Sequence, residues 1–331
     1  MNPEDLVKLS SNENPLGPSP AAVEAIRERA GEAHTYPKAA HTDLVDAIAD
    51  RWAVDPEQVW LGAGGDGVLD YLGRAFLDEG DGVLHPEPGF AYYPMSARYH
   101  GGVPATYTLE KADDFAQTAA GVLESYDGER IVYVTTPHNP TGSEMPLDEI
   151  ERLADGTGDD TLLVVDEAYG EFSAADSARA LVDDRTDVAV LRTFSKAFGL
   201  AGLRLGYAIV PTAWADAYAR VNTPFAVNSL ACYAGLAALA DDEHVERTVE
   251  TTTWARDYMR EHLRVPTWPS GGNFVLAEVG DAAGVAADAK REGVIVRDCS
   301  SFGLPACVRV SCGTEAQTET AVDVLNEVAP Q

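Results

Sequence analysis

The chain uses lysine five times, and one of the five, Lys196, sits in an apolar, glycine-flanked stretch, TFSKAFGLAG. Lysine is ordinarily a solvated surface residue, so the plain reading is a loop cation. The chemical reading is a desolvated amine able to form a Schiff base with a carbonyl. Ser195 precedes it, and Arg204 follows between Gly202 and Gly206. A hydroxyl and a guanidinium so placed could hold a phosphate while the amine binds an aldehyde on the same molecule. Asp166 ends the apolar run TLLVV, and Tyr169 lies three residues on. A carboxylate there is buried and needs a cationic partner, either an internal salt bridge or a protonated ligand ring. In TPHNPTG, Pro137 and Pro140 fix a turn around Asn139, whose amide could donate to a phenolate-like ligand oxygen.

Three weaker signals accompany these. GAGGDG, at Gly62 to Gly67, follows a short strand and opens a helix. It satisfies GxGxxG, and Glu87 falls twenty residues beyond Gly67, which outlines a dinucleotide site. Glu87 lies between two prolines and the strand is short, so the backbone at Gly65 and Asp66 reads instead as a phosphate cup at a helix start. Phe90, in PGFAYY, is either a packing residue or a stacking face for a flat ring. Arg297 in VRD and Arg309 in VRVSCGT are either salt-bridged to surface acids or clamps for a carboxylate or phosphate.

The elements that position these residues alternate, as in an α/β protein. Helices are expected over 20–31, 42–53 (with Thr42 as cap), 68–76 and 147–154, and a long helical tract over 228–263. Strands are expected over 59–61, 81–84, 131–135, 161–165, 188–191 and 205–210. Three more, at 273–278, 294–297 and 307–311, belong to a smaller C-terminal unit. The reactive residues fall just after strand ends, the edge where open α/β sheets bind ligands.

At 331 residues the chain has room for about two domains. It is 45% hydrophobic, with no apolar run near the roughly 20 residues of a membrane span and no signal-peptide core. Cys232, Cys299, Cys307 and Cys312 show no CxxC spacing, which suits reduced thiols in a cytoplasmic protein rather than a metal site. Fifty-four acids against 24 Lys and Arg give a net charge of −30, spread along the chain. That sign excludes nucleic-acid and anionic-membrane surfaces as partners. Such an acidic excess is tolerable where salt screens it, and a halophilic cytoplasm is the expected setting.

Taken in order, NENP, YP, GxGGD, PGFxYY, TPHNPTG, VVDEAY, SKAFGLAGLRLGY, NFVL and VRVSCGT resemble the fold-type I pyridoxal-phosphate-dependent aminotransferases over essentially the whole chain. The resemblance implies a large domain with a mostly parallel sheet sandwiched by helices, plus a smaller C-terminal α/β domain. The expected division is 36–227 against 1–35 together with 228–331. It also implies that Lys196 carries pyridoxal 5'-phosphate as an imine and that Asp166 pairs with the ring nitrogen. Asn139 and Tyr169 would contact the ring oxygen, and Phe90 would fill the stacking place usually held by tyrosine. Ser195, Arg204 and the Gly65–Asp66 turn would hold the phosphate. Tyr36, of the YP motif, would reach the cofactor of a second subunit, implying a homodimer with a shared active site. Arg309, with Arg297 nearby, would clamp the substrate.

Within the family the motifs are most similar to the branch whose amino donor is L-histidinol phosphate, with 2-oxoglutarate as acceptor, in histidine biosynthesis. Gly65-Asp66-Gly67 departs from the usual phosphate turn by losing a side-chain contact. The stretch before NENP is also shorter than the resemblance implies; in the family that stretch helps cover the site. The alternatives are a threonine-phosphate decarboxylase, disfavoured by NENP in place of an NVNP-like form, and a broad aromatic or aspartate aminotransferase. A catalytically silent cofactor-binding regulator and the nicotinamide enzyme outlined by GxGxxG come behind them.

Overall fold

Strand β1 spans Val7–Leu9, β2 Val59–Gly62, β3 Gly82–Glu87, β4 Val103–Thr108, β5 Ile131–Thr135, β6 Leu162–Asp166, β7 Val188–Thr193, β8 Gly206–Ile209, β9 Phe274–Glu278, β10 Val294–Asp298 and β11 Cys307–Ser311. The computed structural model describes residues 6–38 and 41–329. Seven strands form one sheet in the order β2-β8-β7-β6-β5-β3-β4. All are parallel except β8, which runs antiparallel to both neighbours.

β5, β6 and β7 are buried along their whole length, because helices cover both faces of the sheet. Alternate residues sort to the two faces, as the strand period of two requires. Ile131, Tyr133, Leu162, Val164, Ala189 and Leu191 pack beneath helices 64–76, 92–99 and 215–221. Val132, Val134, Leu163, Val165, Val188 and Val190 pack on the opposite side, with helices 42–52, 147–156 and 229–239.

The second sheet is β1-β10-β11-β9, with β1 parallel to β10 and the remaining pairs antiparallel. Its own core gathers Val275, Ala277, Val308 and Val310 with helices 242–262, 282–291 and 315–328. The early segment therefore belongs to the late sheet. Helix 20–29 packs along helix 229–239, however, and Ala22, Ala231 and Ala234 join the core of the large sheet. We propose that both helices belong with the large unit, which narrows the expected small unit of 1–35 with 228–331. Its ends, residues 1–5 and 330–331, lie outside the described residues.

Several local expectations change. Thr42 is the first residue of its helix rather than its cap; His41 precedes it at φ 45° without a side-chain cap. The tract from 228 to 263 is two helices, Ser229–Leu239 and Asp242–His262, because the Asp241 carboxylate accepts from the His244 N–H and restarts the chain. The helix expected from residue 68 begins at Gly64. Two strands went unforeseen: β1 has three residues, too few to show a period, and β4 is a largely exposed edge strand containing Pro104.

The nicotinamide alternative meets a topological obstacle. β2 lies at one edge of the sheet and pairs only with antiparallel β8, while β3 lies five places away. The GxGxxG turn therefore joins no adjacent parallel βαβ pair, as a dinucleotide fold requires.

Candidate active site

The carboxyl ends of β5, β6 and β7 lie side by side. Thr135 is in register with Asp166, and Asp166 with Leu191. The three following loops, TPHNPTG, DEAY and TFSKAF, thus open onto one place from segments far apart in sequence. Gly65 and Asp66 at the start of helix 64–76, and Arg297 and Arg309 of β10 and β11, line the same space. The result is a cavity of about 370 Å³. Lining it are Gly65, Asp66, Phe90, Asn139, Asp166, Tyr169, Ser195, Lys196, Arg204, Arg297 and Arg309. Of the residues expected to hold the cofactor or substrate, Tyr36 alone is absent from this lining. It is 80% exposed and lies with its ring centroid 5.1 Å from that of Phe225.

Asp166 is buried, and among the described residues no cation pairs with it. Its Oδ2 accepts from the Tyr93 hydroxyl at 2.7 Å and its Oδ1 from the Ala168 N–H at 3.0 Å. Burial pushes its carboxyl up from the ordinary 3.8 to about 6, and the two donors offset only part of that. The internal salt bridge considered from sequence is therefore not made. Tyr93, missed in the sequence although it stands three residues after Phe90, holds the carboxylate and also meets Thr135 Oγ1 at 2.7 Å. Its ring stacks on Tyr133, with centroids 4.6 Å apart.

Lys196 Nζ donates to the Ser11 carbonyl at 3.3 Å and lies 5.5 Å from the Tyr169 ring centroid. It has no carboxylate partner among the described residues, in a chain where acids outnumber bases more than two to one. Arg309 is 5% exposed and equally without a carboxylate. Its guanidinium donates to Asn139 Oδ1 and, at 2.9 Å, to the Ser10 carbonyl. Its Nε has no partner, and burial lowers its hold on the proton. A guanidinium can only donate, so Asn139 turns its oxygen toward Arg309 and leaves its NH₂ to donate elsewhere.

Arg297 and Arg309 are opposite one another across the β10–β11 ladder. Like charges in that register repel. Phe302 lies 5.5 Å from one guanidinium and 5.9 Å from the other, and Phe274 lies 5.4 Å from Arg309. The salt bridges considered for both arginines are not made among the described residues.

Arg204 takes a left-handed φ of 53° and pairs with Asp66 at 3.1 Å. Two glycines allow this corner. A Cβ on Gly64 would come within 2.3 Å of Arg204 Nη2, and one on Gly206 within 2.6 Å of the Gly64 carbonyl carbon. Gly65 and Asp66, at the start of helix 64–76 whose cap residue Ala63 supplies no side-chain acceptor, line the cavity with Ser195 and Arg204, a helix start that could receive an anion.

These residues fit pyridoxal phosphate on the structure's own terms. Among the described residues a buried carboxylate lacks a cation and an amine lacks an acid, while a helix start, a hydroxyl and the Asp66-paired guanidinium of Arg204 line the same cavity. Among the described residues no cluster of three or more metal-ligating side chains occurs, and no helix is long and apolar enough to cross a membrane.

Comparison with known proteins gives this arrangement a class. Residues 4–325 match the model of the aminotransferase class I and II family, and the chain belongs to that family. It is 65% identical over 328 residues to a histidinol-phosphate aminotransferase of Haloarcula marismortui, covering 99% of this chain and 91% of that one. It is 63% identical over 331 residues to the enzyme of the same name from Haloferax volcanii, covering 100% and 92%. A crystal structure of histidinol-phosphate aminotransferase from Sinorhizobium meliloti in complex with pyridoxal-5'-phosphate superposes with a TM-score of 0.89 at 28% identity, covering 97% and 90%. Aspartate aminotransferase from Thermus thermophilus with maleate gives 0.83 at 26%, covering 98% and 92%.

Proposed function

We infer that this protein is a pyridoxal-phosphate-dependent aminotransferase that moves the amino group of L-histidinol phosphate to 2-oxoglutarate in histidine biosynthesis. The single observation that carries the choice of donor is the buried, acid-free Arg309 set against Arg297 on one ladder. Two facing guanidiniums suit a phosphate, which carries more charge and more acceptor oxygens than one carboxylate. The acceptor's carboxylate would meet the same guanidiniums in the second half-reaction. The near-full-length identity to histidinol-phosphate aminotransferases supports the same reading.

When bound, the cofactor supplies an aldehyde for covalent attachment and an electron-withdrawing ring that stabilises negative charge at the substrate Cα. Lys196 Nζ is the attachment point and, once freed, the base that takes the Cα proton and returns it on the other side of the reaction. Asp166 keeps a proton on the ring nitrogen; its burial without a cation makes it costly to leave ionised alone and favours that pairing. Asn139 and Tyr169 would donate to the ring oxygen, Phe90 would offer a stacking face, and Ser195, Arg204 and the Gly65–Asp66 backbone would hold the phosphate. Tyr36, exposed beside Phe225, would serve the site of a second copy in a homodimer.

The −30 charge and the haloarchaeal relatives support a cytoplasmic enzyme adapted to salt. The test is turnover of purified protein at low and high KCl with L-histidinol phosphate, threonine phosphate, aspartate and aromatic amino acids, each with 2-oxoglutarate. Histidinol phosphate should give the highest kcat/KM. Preference for a donor without phosphate, or carbon dioxide release from threonine phosphate, would contradict the reading.

A further inference from the structure

The NENP motif enters the cavity through a residue that has no part in the reaction just described. Asn12 is 1% exposed, lines the cavity, and holds a left-handed φ of 53°, a conformation asparagine tolerates better than most side chains. Four hydrogen bonds converge on it. Its backbone N–H donates to Ser311 Oγ at 2.8 Å, and Ser311 Oγ meets Asn12 Oδ1 at 2.9 Å. Its Nδ2 meets the Tyr169 hydroxyl at 2.9 Å, and its carbonyl accepts from Asn273 Nδ2 at 3.1 Å.

The polarity of this chain is set at its start. A backbone N–H can only donate, so the Ser311 oxygen accepts there. The hydrogen of that buried hydroxyl needs an acceptor, and Asn12 Oδ1 is the one within reach. With Oδ1 so engaged, Nδ2 faces Tyr169 and donates. The Tyr169 oxygen therefore accepts from Asn12, and its own hydrogen is free to point elsewhere. Among the described residues that hydroxyl donates to no protein group.

We propose that Asn12 is a positioning residue that makes the Tyr169 hydroxyl an obligate donor toward the ring oxygen of the bound cofactor. The assignment rests on the site's reading as a pyridoxal-phosphate site. It also links the two sheets, because Ser311 lies two residues beyond Arg309 on β11 while Tyr169 follows β6. Arg309 makes its own bonds to Asn139 and Ser10, so its only tie to this chain is the strand it shares with Ser311.

The experiment is a visible-absorption pH titration of the holoenzyme and its variants. The other ionisable groups on the cavity wall, Asp66, Tyr93, Asp166, Lys196, Arg204, Arg297 and Arg309, stay unaltered throughout. A ring oxygen deprived of a donor binds a proton more tightly, so Tyr169→Phe should move the cofactor's spectral transition to higher pH by about one unit. Asn12→Asp presents an acceptor in place of the NH₂ and draws the Tyr169 hydrogen away, so it should move the transition the same way. Placed in the Tyr169→Phe background, Asn12→Asp should add less than half of that shift, which separates the hydrogen bond from the added charge. Ser311→Ala, which frees the amide to flip, should give a smaller shift that vanishes in the same background, and it serves if Asn12→Asp does not fold. An unmoved transition, or shifts equal in both backgrounds, would overturn the assignment of Asn12 alone. An unaltered protein that shows no cofactor absorption when supplied with pyridoxal phosphate would overturn the reading of the whole site, and this assignment with it.

Discussion

Asp166 and Glu167 are consecutive buried carboxylates at the end of β6, and the strand's alternation sends them to opposite faces of the sheet. Burial pushes both upward, yet their surroundings differ. On the face away from the cavity, Glu167 lies 3.4 Å from Arg192, which lies 3.8 Å from Glu171. Glu167 also accepts from Ser177 Oγ and the Ala178 N–H, each at 2.7 Å. Arg192 sits over the Trp52 ring at 4.5 Å. On the cavity face Asp166 has two neutral donors and Arg309 two neutral acceptors, with no charged partner for either among the described residues; the Nε of Arg192 and that of Arg309 are alike in lacking a hydrogen-bond partner. Buried charge is matched inside the protein where its task is to hold the fold, and left unmatched where a ligand is to supply the opposite charge.

That contrast is open to attack from either face. Asp166→Asn should lower kcat on the order of 10³-fold, because a neutral amide cannot keep the ring nitrogen protonated; a loss within tenfold would show that Asp166 is not the ring's partner. On the other face, Glu167→Ala should cost roughly 3 kcal/mol of stability by taking from buried Arg192 the nearer of its two carboxylates. Turnover per folded molecule should change only a few-fold, and urea melts alongside assays of the soluble fraction read the two effects apart. Arg309→Leu should reduce kcat/KM for histidinol phosphate by about 10² and leave the melt nearly unchanged, the reverse of Glu167→Ala.

The smallest effect has an unusual sign. Asp166 has a folded-state value raised to about 6, so the folded protein binds its proton more tightly than the unfolded chain does. Its contribution to stability is present at low pH and is lost as pH rises through about 6. Cofactor-free Asp166→Asn should therefore be more stable than the parent by about 1–2 kcal/mol at neutral pH, with the gain vanishing near pH 4. A destabilised Asp166→Asn at neutral pH would remove the case that this charge is left unmatched.

That certain residues would share one cavity was legible in the sequence where they sit beside strands of the large sheet. Lys196, Asp166, Asn139 and Arg204 each follow an apolar run, and the register of β5, β6 and β7 follows from that run's burial. The partners that orient them were not legible, because they come from elsewhere in the chain. Asn12 meets Ser311 across a sequence separation of 299 and Tyr169 across 157. Tyr93 looked like one more aromatic after Phe90, and only its hydrogen bond to Asp166 gives it a task. Phe302, between two arginines, carried no signal at all, since facing guanidiniums become visible only once β10 and β11 are paired. In the fold, long buried strands announced themselves, whereas β1 and β4 did not, one through brevity and the other through an edge strand's mixed exposure.

One amine, in the TFSKAF loop, is proposed to hold pyridoxal phosphate covalently. The direct measurement is borohydride reduction of the purified holoenzyme, followed by peptide mass spectrometry. The account predicts a single phosphopyridoxyl group on the peptide containing Lys196, absent from Lys196→Ala, whose turnover should fall by on the order of 10⁴ or more. A label on Lys8, Lys38, Lys111 or Lys290, or no label on a protein that still transaminates, would contradict it.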